Sequence, residues 1–172
     1  MKEEAIILNL SKQHPMLLLI KILSVIAFSI VLYFIIHEFS HLVTMLLCNG
    51  VFNNMHFGLT SFVSGYVDQQ YVWIVAISSL IIPLLFSTVL FFIKNIYVKF
   101  FVLGFTWPSM MNSALGLFAI WFINDSTRQT YDIALAYDFA QMPVIIIVVS
   151  IVGALYSAAL IGISFIKIVK EA

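Results

Sequence analysis

With 63% hydrophobic and only 9% charged residues among its 172, the chain lies far outside the composition of a water-soluble fold. Eight basic residues balance eight acidic ones, so the charge excludes the basic footprint of a nucleic-acid binder and leaves the lipid bilayer as the expected surroundings. A lone cysteine, Cys48, excludes an internal disulfide and a cysteine-built metal site.

Taken in chain order, the elements predict an all-α membrane protein: one integral membrane domain over residues 1–172, with about four transmembrane helices and a short β-hairpin-like segment after the first. The opening MKEEAIILNLSKQHP is mixed in charge. The apolar run behind it is too long for the core of a cleavable signal peptide and ends in no small-residue cleavage pattern, so the first span is expected to be retained. That span is predicted from Leu17 to Cys48, longer than the roughly 20 residues that cross ~30 Å of hydrocarbon. Lys21 can snorkel near its start, and Gly50 is expected to end it.

The segment GVFNNMHFGLTSFVSGYVDQQ then sets Gly50, Gly58 and Gly65 around short stretches rich in β-branched and aromatic residues, the pattern of a hairpin. Because open strand edges cannot be satisfied in lipid, the hairpin is expected at the interface or against the helices. Further spans are predicted over Tyr71–Ile93, Phe100–Ile123 and Pro143–Ile166. Pro83 and Pro108 fall inside the second and third, and Pro143 suits the first turn of the fourth.

Lys2, Lys12, Lys21, Lys94, Lys99, Lys167 and Lys170 fall on segments that four spans would place on one side. By the positive-inside rule that side is cytoplasmic, which gives a multi-pass protein of the cell membrane with both termini inside. The loops 49–70 and 124–142 carry Arg128 as their basic residue, beside Asp68, Asp125, Asp132 and Asp138, and are expected on the far side.

The chemistry is concentrated in the first helix, where His37-Glu38-Phe39-Ser40-His41 spells HExxH inside YFIIHEFSHLVTMLL. Residues four apart lie one above the other on a helix, so the two imidazoles can close on a single zinc ion while Glu38 stands beside them as general base. Zinc brings the pKa of a water to about 7, within reach of a carboxylate that removes its proton. Three ionisable residues in an apolar span cost on the order of several kcal/mol unless paired, metal-bound or facing water. The competing structural reading is a pairing of Glu38 with a histidine.

Two histidines leave zinc one protein ligand short. The stretch Asn124–Met142 returns to the side on which the first helix ends, and Asp125, Asp132 and Asp138 are its candidates. Asp132 and Asp138, six residues apart, differ by about 120° and about 9 Å on a continuous helix, so both cannot hold one ion. Asp125, in NDST, reads as a turn or cap.

On these residues the chain resembles the site-2 protease family of membrane-embedded zinc metalloproteases, as a compact member. That family combines HExxH in one span with an aspartate opening a later one, in a segment of the form NxxPxxxxDG. Asn124 and Asp132 have that separation, whereas the prolines are absent and Ile133 stands where the glycine would be. The resemblance implies His37, His41 and Asp132 as zinc ligands, Glu38 as catalytic base, and cleavage in or near transmembrane segments of other membrane proteins.

His56, in the hairpin, reads as an interfacial polar group, and Cys48 lies about 10 Å along the helix from His41, too far to join the same ion. Asn112 and Ser113 in the third span suit hydrogen bonding across helices or orientation of a substrate backbone. Gly104, Gly116, Gly153 and Gly162 suit close helix contacts. Part of residues 51–67 is expected to pair with an unwound substrate by strand addition. The alternatives to an intramembrane protease are a zinc-binding membrane protein without proteolytic activity and a small transport or assembly subunit.

Overall fold

A computed structural model describes residues 15–56, 62–124, 127 and 130–171. Lys2, Lys12, Gly58, Asp125 and Arg128 lie outside the described residues. The fold is α-helical with one hairpin: α1 (Pro15–Leu47), β1 (Val51–His56), β2 (Phe62–Tyr66), a 3-10 turn (Gln69–Tyr71), α2 (Val72–Phe91), α3 (Ile96–Phe122), α4 (Asp132–Phe139) and α5 (Pro143–Glu171).

Three helical stretches, Met16–Leu47, Gln69–Phe91 and Pro143–Lys170, are long and apolar enough to cross a membrane, as an integral membrane protein requires. The expected third span, α3, has 27 residues and is long enough at about 40 Å, but it is not among them. Its Lys99, Thr106, Ser109 and Ser113 are buried in the bundle, so polarity turned inward lowers its apolar character.

Two other expectations need correction. α3 begins at Ile96, not Phe100, because the Asn95 side chain accepts a hydrogen bond from the Tyr97 amide at 2.9 Å and caps the helix there. The stretch after α3 contains an additional helix, α4, that separates the third long helix from the fourth.

The termination of α1 also differs from expectation. Asn49, not Gly50, takes the left-handed conformation, with φ 58°, and the Gly50 amide bonds back to the Met45 carbonyl at 2.9 Å, a C-terminal cap for which asparagine is the usual substitute for glycine. Gly50 and Gly65 serve instead to seat the hairpin. A Cβ on Gly50 would lie 2.6 Å from the Met45 Cγ, and one on Gly65 would lie 2.4 Å from the Val51 carbonyl oxygen. The two strands are antiparallel, Val51 facing Tyr66 and Met55 facing Val63, with a bulge between Phe52 and Asn54.

In the bundle, α3 makes its most extensive helix contact with α5 and also packs on α1. The buried residues of α5 recur at spacings of three or four, namely Ile146, Ser150, Gly153, Ser157, Leu160, Ser164 and Ile168, the seam of a helix wound against its neighbours. Small residues dominate that seam, as close backbone approach in a membrane bundle requires. Of the four glycines expected at helix contacts, Gly104 meets Ser29 of α1, Gly116 meets Ile133 of α4 and Gly153 meets Leu80 of α2, whereas Gly162 faces open space.

Hydroxyls inside the bundle are largely satisfied by carbonyls of their own helix. Ser29, Ser40, Ser87, Thr88, Thr106 and Ser150 each donate to a carbonyl three or four residues earlier at 2.6–2.9 Å. A core cluster of Ala76, Ile77 and Leu80 from α2, Ile133 and Ala136 from α4 and Ile146 from α5 holds the short helix α4 between its long neighbours.

Candidate metal centre

The HExxH residues stand in the C-terminal part of α1, about 9 to 15 Å short of its end. α2 is fastened to that turn: the Ser78 hydroxyl lies 3.1 Å from the carbonyl of Ser40, inside the motif. From the opposite side α4 brings Asp132, its first residue. Ile133, fully buried, fills the notch that Gly116 leaves in α3, where an added Cβ would sit 2.3 Å from the Ile133 Cβ. Glycine on α3 thus accommodates the isoleucine that stands in the resembled motif's glycine position, and the contact sets the height of Asp132.

The result is a convergence of three donors. His37 Nε2 lies 3.0 Å from Asp132 Oδ2, and His41 Nε2 lies 3.3 Å from Asp132 Oδ1. One ligand atom from each of the three residues lies within 4.8 Å of the other two. A tetrahedral zinc site with ligands at ~2.0–2.1 Å has an edge of about 3.3 Å, so the group fits a metal ion of that size. The two imidazole rings stand nearly perpendicular, at 87° with centroids 5.0 Å apart.

Surrounding groups fix the donors' orientation. His41 Nδ1 is 2.9 Å from the Val75 carbonyl and therefore donates to it, which leaves the Nε2 lone pair of the neutral ring pointing at the carboxylate. A lone pair facing a carboxylate oxygen at 3.3 Å requires a cation between them or a proton on the ring, and a metal ion meets that need. His37 Nδ1 is 3.3 Å from the Tyr33 hydroxyl, and the Ser79 hydroxyl is 3.1 Å from Asp132 Oδ2. Burial pushes the Asp132 carboxyl up, but with a proton on the His41 Nε2 the facing charge and the hydrogen bonds from both imidazoles outweigh it and hold the carboxyl well below the usual carboxylate range. The donor is an ionised carboxylate.

Glu38, 3% exposed, and all three donors border one cavity of about 960 Å³. Its other walls come from α3 (Pro108, Met111, Asn112, Leu115), from the hairpin end (Gly65, Tyr66, Val67) and from Tyr131. Phe34 of α1 and Met111 and Leu115 of α3 border it and are exposed, so apolar side chains of both helices form an accessible part of its wall.

The other sequence candidates separate cleanly. Asp138 is exposed on the last turn of α4. Asn124 is exposed beyond the end of α3 and does not border the cavity. His56 ends β1, and Cys48 lies just past α1. Sequence reasoning does not single out Tyr33, Val75, Ser79 or the specific role of Gly116. Tyr33 is detectable in principle, since it stands four residues before His37 on the same helix face, and Ser78-Ser79 is a polar pair within an apolar helix.

Comparison with protein-family models, with curated proteins and with solved structures finds no match for this chain.

Proposed function

We propose that the chain is an intramembrane zinc metalloendopeptidase that hydrolyses peptide bonds in or near transmembrane segments of other membrane proteins. The observation that carries this reading is the convergence of both HExxH histidines with Asp132 on the wall of a cavity that Glu38 also borders. His37, His41 and Asp132 would hold the zinc and leave its fourth position to the cavity, the arrangement of a catalytic rather than a closed structural site. Zinc bound there would supply Lewis acidity, acidifying a water and polarising a peptide carbonyl.

The chain's own residues do the rest. Glu38 takes the proton of the attacking water and returns it to the departing amine, so the peptide C–N bond breaks as a C–O bond forms. The Val75 carbonyl, Ser79 and Tyr33 keep the donors oriented. The apolar cavity wall excludes bulk water, and its accessible part admits a segment from the bilayer. A substrate helix must unwind locally before its carbonyl can approach the donors. The outer edge of β2, unpaired among the described residues and ending in Tyr66 at the cavity rim, offers strand addition to the unwound stretch.

With the lysine-rich ends in the cytoplasm, α3 completes a four-span, multi-pass protein of the cell membrane, with both termini inside and the centre towards the opposite face. The experiment is Glu38→Gln in the full-length, zinc-loaded protein. The expected result is unchanged zinc content with cleavage of an apolar transmembrane peptide reduced by ~10²–10⁴-fold. A variant that cleaves as well as wild type refutes the assignment of Glu38, and a zinc-loaded wild type that cleaves no such peptide moves the protein to a non-proteolytic zinc-binding role.

A further inference from the structure

We infer that Asn112 of α3 binds the backbone of an extended apolar peptide segment in the cavity, beside the metal centre. The inference rests on the proteolytic reading only for the fate of that segment.

Among the described residues Asn112 is the one carboxamide bordering the cavity. Ser40 and Thr106 donate to carbonyls of their own helix, whereas Asn112 Nδ2, like the Ser109 hydroxyl one turn earlier, is buried with no hydrogen-bond partner among the described residues; of the two, Asn112 borders the cavity. The Tyr33 hydroxyl is near enough to interact with the carboxamide without completing a hydrogen bond to Nδ2. A buried amide without a partner costs about 1–3 kcal/mol, so the fold alone would be better served by leucine at this position. Its neighbours on the cavity wall, Pro108, Met111 and Leu115, are apolar, so bulk water is a poor competitor for the amide.

The chemical class of the ligand follows from the group. A carboxamide carries donors and an acceptor side by side, the complement of a peptide unit. A helix that unwinds in an apolar cavity exposes carbonyls and amides that lipid cannot satisfy. One row of them can pair with the open edge of β2; the other row points away from it, towards α3. Asn112 Nδ2 donates to a carbonyl of that second row. Because it reads only backbone, the contact holds the segment without selecting its side chains.

The test uses the full-length, zinc-loaded Glu38→Gln protein in detergent. The probe is a fluorescent Leu/Ala-rich transmembrane peptide of about 25 residues with a central Gly-Pro pair to loosen its helix. Adding Asn112→Leu is expected to weaken peptide binding on the order of 10-fold, the loss of one hydrogen bond from a desolvated amide. Zinc content should stay the same and the melting temperature should hold or rise. A peptide with central ester linkages in place of amides should bind more weakly than the all-amide peptide, and the difference should be smaller where Asn112→Leu has been introduced, because only the contribution of the β2 edge then remains.

Equal binding by the two proteins overturns the inference. So does a lower melting temperature with Asn112→Leu, since that marks a structural role, and so does the absence of any peptide binding. If the protein with Glu38 intact binds the peptide through Asn112 but does not cleave it, the proteolytic reading falls and this inference stands. Cleavage that is indifferent to Asn112→Leu gives the reverse.

Discussion

Lys99 and Asp132 are both ionisable side chains drawn into the helix bundle, at opposite ends of α3, and their surroundings differ in kind. Lys99 is 3% exposed. Its ammonium donates to the Phe91 carbonyl at 2.6 Å and lies 4.9 Å from the Phe91 ring centroid. The end of α2, whose last carbonyls and dipole both attract a cation, is thereby capped. Lys167 approaches the same ring at 4.3 Å. Asp132 instead meets two imidazole nitrogens at 3.0 and 3.3 Å, beside a cavity. The first arrangement closes a helix end within the fold; the second gathers electron pairs around a place for a cation. The bilayer penalises both charges, and only the identity of their partners separates a structural group from a functional one.

The comparison can be broken from either side. The largest effect is expected from Gly116→Leu, which forces Ile133 and with it α4 out of the notch in α3. A displacement of Asp132 by about 1 Å should reduce peptide cleavage on the order of 100-fold, with zinc binding weakened in parallel in a metal titration. Retention of normal zinc affinity would show that α4 is not positioned through Gly116.

Lys99→Met should act on the other region alone. The variant loses the cap on α2, lowering stability by about 1–3 kcal/mol, read as a lower melting temperature in detergent, while zinc content is unchanged. Loss of zinc with that variant would mean that the two ends of α3 are coupled. The smallest effect belongs to Ser79→Ala. Removing the hydroxyl 3.1 Å from Asp132 Oδ2 should leave the melting temperature in place and weaken zinc binding by roughly 10-fold, the low end for a partner of a metal ligand. An unchanged titration would remove Ser79 from the centre.

The residues legible in the sequence are those with a local signal. Apolar runs mark the long helices, and the four-residue spacing of His37 and His41 by itself puts both rings on one helix face. Glycine and β-branched spacing marks the hairpin, although the left-handed residue ending α1 is Asn49, because asparagine and glycine adjoin there and either can take that conformation. α4 is not legible: an eight-residue helix has no periodicity long enough to read and owes its place to Gly116 and the core cluster. The geometric separation of Asp132 from Asp138 depends on that placement. The partners of the donors are hidden for the same reason. Val75 contributes a backbone carbonyl, which no side-chain pattern announces, and Ser79 reaches Asp132 across 53 positions of sequence.

The central claim is that His37, His41 and Asp132 form one metal centre, and elemental analysis of the detergent-purified, zinc-supplied protein tests it most directly. About one zinc per chain in wild type and in Asp138→Ala, with little or none in Asp132→Ala, is the predicted result. Wild type that carries no zinc, or an Asp132→Ala protein that carries as much as wild type, would contradict it.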